Sequence, residues 1–490
     1  MGKLVTDNSK HRNWFASHTF NNCKLGRRMY GDFLADYILG EHNGFVLNLN
    51  GSWGTGKTEF LKRLYTEIAE RNHPVVYINS WESDFSKEPL TVVTSELLNQ
   101  LERLNQGIGS ESKTRAVKHF CGKALKGALV GVAGVASAHL LKDSNIGMEA
   151  IKQVIDEESE SFTKRLTQDY AEQVEAIERI RELLGQLAEV LKASYGANIP
   201  VVVLVDELDR CRPTYAIEML EVIKHFFTTD NFVFVVATDT EQLCRSITAV
   251  YGHNFNSEQY LKRFFDRKAS LPEPDLDYYI DALNQDFSQY SELTLFPSFV
   301  ENDKHNTEFI RKSVSLLAKG FNLKIRDVDQ LLNKLHACLR TALNSQQRYG
   351  NRQYVHLPAL IIGLIEQDLG LESFERRKTE NIEVPTLWNK DVNLAKGFNA
   401  ELFVELSVAS VVLVIERHED HWGVEFERET LPKSTSITSY SDYSEYSEEL
   451  SLMVSNTNKK IDEFNRTDGS IRYWLWSDMK KVIELAGTIL

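Results

Sequence analysis

An eight-residue motif between an apolar run and a helical pattern places the strongest constraint on this 490-residue chain. Residues 51–58 read GSWGTGKT and fit the pattern GxxxxGK[ST] at every defined position. The run GFVLNLN at 44–50 predicts a strand before the motif, and residues 57–70 have helical spacing after it. A strand, a glycine-rich loop and a helix in this order predict a loop that binds phosphate.

The residue types of this motif suit a nucleotide. Glycines permit backbone conformations in which N–H groups point at phosphate oxygens, and the helix N-terminus adds a favourable dipole. We expect Lys57 to reach the β- and γ-phosphates and the Thr58 hydroxyl to ligate Mg²⁺. A glycine turn that binds nothing is the alternative, and the flanking elements disfavour it. The predicted nucleotide contacts within the loop are Gly51, Ser52, Trp53, Gly54, Thr55, Gly56, Lys57 and Thr58.

Two adjacent acids follow a later apolar run. Residues 199–205 read IPVVVLV, as a parallel strand buried on both faces requires, and Asp206 and Glu207 come next. Adjacent carboxylates at a strand end are costly unless a cation is present. We expect Asp206 to hold Mg²⁺ and Glu207 to act as the base that polarises an attacking water. Two acids in a solvated turn are the alternative.

The next apolar run, at 232–237, ends before Thr238 and Asp239. Their position after a strand suggests that one of them contacts the attacking water or the γ-phosphate. Hydrolysis also needs a cation in the transition state. The candidates are Arg210, Arg212, Arg263 and Arg267, each of which has a surface salt bridge as its alternative role.

The order of elements predicts the fold class. Apolar runs at 74–80, 199–205 and 232–237 alternate with helical patterns such as 213–227. This alternation predicts an α/β fold with a parallel, doubly wound sheet. We predict three regions, which are a core at 1–275 with a helical insertion at about 100–195, a helical domain at 276–390, and a C-terminal accessory region at 391–490.

The composition is globular and acidic. The chain has 56 Lys+Arg against 70 Asp+Glu, a net charge of −14, with 42% hydrophobic residues. These values exclude a disordered chain and argue against a chain-wide electrostatic surface for nucleic acid, although a local basic surface can coexist with them. Five scattered cysteines without a CxxC pair argue against a zinc or disulfide framework.

One segment, GALVGVAGVASAHLL at 127–141, suggests membrane contact. Its length as a helix is about 22 Å, whereas the hydrocarbon core of a bilayer is about 30 Å thick. We therefore expect no transmembrane span, and a buried or partner-facing helix is favoured over contact with lipid. The first residues, MGKLVTDNSKHRNWF, lack the apolar run of a secretory signal, which predicts a cytoplasmic location.

Taken together, these motifs resemble the KAP family of P-loop NTPases. The resemblance covers roughly residues 20–335 and is strongest at DELDRC, where Glu207 stands in place of the family's commoner aspartate. Its other segments are LGR at 25–27, INSW at 78–81, FVFVVATD at 232–239 and QYLKRFF at 259–265.

The family resemblance implies further features. It implies ATP and Mg²⁺ as ligands, and Arg326, within LKIRDVDQLLN at 323–333, as a second sensor of the nucleotide. It also implies a nucleotide-driven switch or assembly that works with partner proteins, because relatives are similar to proteins of phage exclusion and defence. Members often carry transmembrane helices between the two nucleotide motifs, where this chain has only the segment at 127–141. The region from 391 shows no resemblance.

The leading hypothesis is an Mg²⁺-dependent ATPase that acts as a switch or assembly protein in a bacterial antiphage defence system. We expect partner proteins to bind the helical and C-terminal regions, and homo-oligomerisation stays open. The alternatives are a nucleotide-bound scaffold with little hydrolysis, a membrane-peripheral KAP NTPase, a small-molecule kinase and a nucleic-acid motor. ATP is preferred over GTP by resemblance, since the sequence has no Asn-Lys-x-Asp-like guanine reader.

Overall fold

The computed structural model describes most of the chain in two compact units, Met1–Glu273 and Pro274–Leu490. The second unit contains both regions that we predicted at 276–390 and 391–490, and that three-region division stays a prediction. The segment at 127–141 lies outside the described residues. The described residues are 9–42, 44–85, 89–104, 169–226, 228–301, 303, 306–419, 425–432, 447–466 and 470–488.

A five-stranded sheet forms the centre of the first unit. Its strand order is β2-β3-β4-β1-β5, and every neighbouring pair is parallel. All residues of β3 and β4 are buried, as continuous apolar runs in a parallel sheet require. The predicted α/β class is therefore confirmed. The strands are β1 (Phe45–Asn50), β2 (Val75–Asn79), β3 (Val201–Asp206), β4 (Phe232–Thr238) and β5 (Arg267–Ser270).

The register of this sheet brings the candidate site together. Asn50 at the end of β1 pairs with Thr238 at the end of β4, and Asn79 of β2 pairs with Asp206 of β3. Because the strands are parallel, their carboxyl ends lie on one edge. β4 separates β1 from β3, so the loop after β1 and the acids after β3 are about 10 Å apart at the backbone.

Helices of the first unit follow their strands directly. The helix after the glycine-rich motif spans Lys57–Glu70, the predicted range, and buries Phe60, Leu64 and Ile68 at helical spacing. The helix predicted at 213–227 spans Pro213–Phe226. The helices are α1 (Trp14–Ser17), α2 (Arg28–Leu39), α3 (Lys57–Glu70), α4 (Pro89–Arg103), α5 (Asp169–Tyr195), α6 (Pro213–Phe226), α7 (Thr240–Tyr251) and α8 (Ser257–Leu261).

The second unit is mainly helical. Its central helix, α12, is buried at every residue from Leu357 to Glu366, because the sequence LPALIIGLIE is apolar on all sides. Other helices, α10, α11, α14 and α16, pack around it. The helices are α9 (Leu276–Leu283), α10 (Thr307–Gly320), α11 (Ile325–Tyr349), α12 (Leu357–Leu369), α13 (Glu372–Arg376), α14 (Ala400–Ala409), α15 (Glu448–Arg466) and α16 (Trp476–Gly487).

Short strands complete the second unit. Three of them form a parallel sheet of order β12-β7-β6, and two antiparallel pairs, β8–β9 and β10–β11, stand apart from it. These strands, and also β5, were not predicted from the sequence, because they lack the continuous apolar runs that identified β1–β4. The strands are β6 (Thr294–Phe296), β7 (Arg352–His356), β8 (Asn393–Ala395), β9 (Phe398–Asn399), β10 (Val414–Glu419), β11 (Glu425–Thr430) and β12 (Ile471–Tyr473).

Among the helices of the described ranges, none combines the length and the apolar character needed to cross a bilayer.

Candidate functional site

The loop between β1 and α3 has the backbone shape that its glycines predict. Gly54 and Gly56 have φ values of 83° and 81°, in the region that other residues rarely adopt. A side chain at Gly51 would place its Cβ 2.8 Å from the Thr55 hydroxyl oxygen. Gly51 therefore keeps the loop tight, and the other two glycines let it turn into the helix.

Lys57, the first residue of α3, points back into this loop. Its side chain is 9% exposed, and Nζ donates to the Gly51 carbonyl at 2.8 Å. The same Nζ lies 3.3 Å from Asp209 Oδ2. The ammonium of Lys57 is thus held at the mouth of the loop, where it can bind phosphate oxygens.

Asp206 ends β3 with a nearly inaccessible carboxylate, 1% exposed. Tyr77 Oη donates to its Oδ2 at 2.8 Å, the Glu207 backbone N–H donates to its Oδ1 at 2.8 Å, and the Thr58 hydroxyl makes a further hydrogen bond. Burial raises the pKa of Asp206, and the three hydrogen bonds oppose that rise. All three donors are neutral. The predicted magnesium ligands, Thr58 and Asp206, are therefore in contact.

These two residues suit a magnesium ion. A hydroxyl and a carboxylate are hard oxygen ligands, and Mg²⁺ sites usually take few ligands from protein because water and phosphate supply the rest. Within the described ranges, no group of three or more His, Cys, Asp and Glu side chains could hold a metal without such help. The donor set fits a metal that arrives with a nucleotide.

Glu207 occupies an unusual backbone conformation directly after β3. Its φ of 58° is left-handed, which costs a non-glycine residue about 1–2 kcal/mol. The carboxylate lies 3.1 Å from Arg210 Nη1 and is hydrogen-bonded by the Asn79 side chain. Burial raises the pKa of Glu207, and the positive charge of Arg210 opposes this. The turn aims Glu207 at the same sheet edge as Asp206.

Asp239 follows β4 and joins two elements. Its Oδ1 accepts the Gln242 backbone N–H at 3.2 Å, which caps α7, and its Oδ2 accepts the Trp53 backbone N–H at 3.1 Å. The hydroxyl of Thr238 is buried against Asn48 at 3.3 Å, while its carbonyl accepts the Gly51 N–H at 3.0 Å. Asp239 thus contacts the loop through its side chain, and Thr238 does so through its backbone.

The remaining residues of the loop differ in exposure. Trp53 is 55% exposed, although its Nε1 donates to buried Asp209 at 2.8 Å. Thr55 is buried, and its hydroxyl donates to the Ser52 carbonyl at 2.8 Å. The Ser52 hydroxyl lies 3.4 Å from Glu273 Oε1. The loop therefore holds its own shape and presents one aromatic ring to solvent.

The candidate arginines are spread more widely. Arg210 is half-exposed and contacts Glu207. Its guanidinium carbon also lies 5.9 Å from the centre of the Trp81 ring. Arg212 pairs with Asp84 at 3.1 Å, and Arg263 and Arg267 are exposed. Of these four, Arg210 is the one in contact with a candidate catalytic residue. Arg326 lies exposed in the first turn of α11, in the second unit, and its role stays a prediction.

Three contacts were not predicted from the sequence. Asp209 accepts the Trp53 indole N–H, Arg27 Nη1 donates to the Thr55 carbonyl at 2.7 Å, and Tyr77 donates to Asp206. Asp209 is the third acidic residue of the sequence DELD. Several acidic residues close together are also typical of a solvated turn, so the sequence did not single out Asp209. Arg27 lies 28 residues before Thr55 in the sequence, and no local pattern joins the two.

Comparison with known proteins gives one strong match. The model of the KAP family P-loop domain matches residues 27–342, more than half of the chain. An ORC2 protein from Aeropyrum pernix, solved as ADPNP–ADP complexes, is similar with a TM-score of 0.32 and 12% sequence identity over 97% of this chain and 98% of that chain. No curated protein matches. The family match covers the loop, the acid pair and Asp239 in one stretch, and the chain belongs to the KAP family of P-loop NTPases.

Proposed function

We propose that this protein is an Mg²⁺-dependent ATPase that works as a nucleotide-driven switch or assembly protein. Its family supports nucleotide binding and hydrolysis. The strongest support is the contact between the Thr58 hydroxyl and the buried Asp206 carboxylate. Thr58 directly follows Lys57 in the sequence, so this contact lies next to the phosphate-binding lysine. A phosphate-binding lysine and a pair of magnesium ligands at one sheet edge are the parts that phosphoryl transfer requires.

Each residue has a proposed role. Lys57 binds the β- and γ-phosphates, and the backbone of Gly51–Gly56 surrounds them. Thr58 and Asp206 hold the magnesium ion, which when bound neutralises charge on the phosphate oxygens. Tyr77 keeps the Asp206 carboxylate in one orientation by its hydrogen bond.

Glu207 is the proposed general base. It follows Asp206 directly, and its raised pKa favours proton acceptance from water over that of an ordinary glutamate. Arg210, 3.1 Å from Glu207, is the proposed transition-state cation within the chain. Asp239 fixes the loop through Trp53, and Arg326 is the proposed second sensor.

The wider role rests on the family resemblance. We propose ATP as the nucleotide, a cytoplasmic location, and a place as the ATPase component of a bacterial antiphage defence system. Partner proteins would bind the regions at 276–390 and 391–490. A second copy of the chain is the other proposed partner, since half-exposed Arg210 could also act on a neighbour's nucleotide.

Steady-state phosphate release tests this function. Wild type should release phosphate from ATP with MgCl₂ and stop when EDTA removes the metal. Glu207→Gln should lower the rate roughly 100-fold or more, because general base catalysis contributes 10²–10⁴-fold. Glu241→Gln, an exposed glutamate of α7 paired with Arg245, is the matched control and should keep the wild-type rate.

A nucleotide-bound scaffold with little hydrolysis is the second candidate. It is favoured by the contacts of Glu207, whose carboxylate is engaged by both Asn79 and Arg210 rather than by solvent alone. Under this function Glu207→Gln and wild type would release phosphate at the same low rate, while both would still bind ATP. Equal rates would remove the ATPase proposal and leave the scaffold.

A further inference from the structure

One carboxylate contacts two donors of the phosphate-binding motif and a third donor directly after β4. Asp209 lies in the single turn Leu208–Arg210 after β3, and its side chain is 2% exposed. Its Oδ2 lies 2.8 Å from Trp53 Nε1, 3.2 Å from the Asp239 backbone N and 3.3 Å from Lys57 Nζ. A single buried oxygen thus joins the loop, its lysine and the end of β4.

A second carboxylate takes another donor of the same loop. Asp239 Oδ2 accepts the Trp53 backbone N–H at 3.1 Å. The Lys57 ammonium and the loop N–H groups are the donors that a phosphate-binding loop offers to phosphate oxygens. In this protein, carboxylate oxygens of Asp209 and Asp239 therefore accept from groups that phosphate oxygens would also need.

Carboxylate and phosphate oxygens compete for such donors because both are anionic acceptors. A triphosphate that binds Lys57 competes with Asp209 for the three N–H donors of the ammonium, one of which already bonds the Gly51 carbonyl at 2.8 Å. The negative charge of the phosphates then lies close to a buried carboxylate. Like charges at a few ångströms repel appreciably when water is excluded. Asp209 should accordingly weaken nucleotide binding, although it does not face solvent.

We propose that Asp209 is a positioning residue that sets the nucleotide affinity of the loop by competing with the β- and γ-phosphates for Lys57 Nζ. This inference rests on the proposed nucleotide-binding function. Because the Trp53 indole N–H is held by the same oxygen, the exchange changes the surroundings of an exposed ring, 55% accessible. Trp53 then reports the state of the loop at the protein surface.

Replacement of Asp209 by asparagine tests the competition. Asp209→Asn removes the charge but keeps an oxygen that can accept the Trp53 N–H. The dissociation constants of ATP and ADP should fall roughly tenfold, a modest effect for one charge near a binding site. The affinity for AMP, which has no β-phosphate, should not change. Equilibrium binding is measured by calorimetry for the three nucleotides, with and without MgCl₂.

Two control variants separate charge at this site from charge in general. Asp230→Asn removes an exposed aspartate just before β4, at the opposite edge of the sheet, and should bind ATP like wild type. Asp209→Glu keeps the charge and should not gain affinity. If Asp209→Asn binds ATP as wild type does, or more weakly, the competition does not exist. A wild type that binds no ATP would instead refute the proposed function.

A measurement without any Asp209 variant covers the case in which Asp209→Asn fails to fold. The fluorescence of wild type minus that of Trp53→Phe gives the signal of Trp53 among the seven tryptophans. This difference signal should change as ATP is added, since the oxygen that accepts the indole N–H loses its other partner, Lys57 Nζ. A difference signal that stays constant while calorimetry shows ATP binding would overturn the exchange.

Discussion

Each unit of the molecule buries charged side chains, but the two units do so in opposite ways. In the second unit, Arg377 donates to both oxygens of Glu366 at 2.8 and 2.6 Å, and both side chains are 0% exposed. The Ser373 hydroxyl donates to Glu366 at 2.6 Å, and the Arg377 guanidinium lies 4.2 Å from the Trp476 ring. This pair is complete, with every partner supplied by the fold.

At the candidate site of the first unit, the buried charges are paired less completely. Asp206 accepts from a phenol, a hydroxyl and a backbone N–H, all neutral, and burial raises its pKa. Lys57 and Asp209 meet at 3.3 Å without bidentate geometry. Burial of charge is therefore a poor marker of function by itself. A buried carboxylate whose donors are neutral is the better marker, because a cation would improve its surroundings.

The largest expected effect on stability comes from removing one partner of the buried ion pair between Arg377 and Glu366. Arg377→Met keeps an apolar stem against Trp476 but leaves Glu366 charged and unpaired. Such a loss should destabilise the second unit by about 3–5 kcal/mol, measured by denaturant unfolding. The double variant Glu366→Leu with Arg377→Met should recover most of this stability, since both charges are gone. A small effect of Arg377→Met alone would mean that Glu366 does not depend on its partner.

Loss of the lysine from the incomplete site should act on binding instead. Lys57→Ala removes the cation expected to contact phosphates, so ATP affinity should fall at least about 100-fold, or about 2.7 kcal/mol. Wild type should gain thermal stability with Mg-ATP, and Lys57→Ala should gain none at the same concentration. Lys62→Ala, on the same helix, is the control. Equal stabilisation of wild type and Lys57→Ala by Mg-ATP would contradict the site.

A buried histidine extends the comparison to pH. His356 in the second unit is 0% exposed, and burial lowers its pKa from 6.5 to about 3. The pKa of His356 is lower in the folded protein than in the unfolded chain. Neutral His356 therefore contributes fully to the free energy of unfolding above about pH 6.5, and this contribution is lost as the pH falls toward 3. The loss is about 1.4 kcal/mol per pH unit within this window.

The measurement is hydrogen exchange of α12 amides at pH 7 and pH 5. In wild type, the Ala359 backbone N–H donates to His356 Nδ1 at 3.3 Å. His356→Asn keeps a side-chain acceptor for this N–H and removes the group that binds a proton in this pH range. The stability of the variant should fall less between the two pH values than that of wild type. His253→Asn, at an exposed position, should behave like wild type. Equal pH dependence in all three proteins would exclude His356 as a source.

The sequence predicted the first unit better than the second. Long apolar runs defined β1–β4, and the glycine motif defined the start of α3, because those features are local. The strands β6, β7 and β12 are three to five residues long, and they pair across 60 residues (Thr294 with Tyr354) and 119 residues (Tyr354 with Tyr473). Separation is not the cause, since β1 and β4 pair across 188 residues and were predicted. The short strands instead hold too few apolar residues to form the continuous run that identified β1–β4.

The site was predicted in part for the same reason. Residues in the motifs, such as Lys57, Thr58 and Asp206, could be predicted as site residues because residue type and spacing carry their chemistry. Tyr77 and Asp209 could not, since a phenol inside the strand β2 and a third acid in DELD look ordinary. Their roles depend on which side chains the sheet register brings within 3 Å.

The smallest expected effect compares one hydroxyl in each unit. Tyr77→Phe and Ser373→Ala each remove one donor to a buried carboxylate, Asp206 or Glu366, and each should cost about 1–3 kcal/mol of stability. Thermal unfolding with and without Mg-ATP distinguishes them. The deficit of Tyr77→Phe should shrink with Mg-ATP, because a cation at Asp206 replaces the lost donor, while that of Ser373→Ala should stay constant. If neither deficit responds, Asp206 is a structural carboxylate like Glu366, and the contrast between the two units disappears.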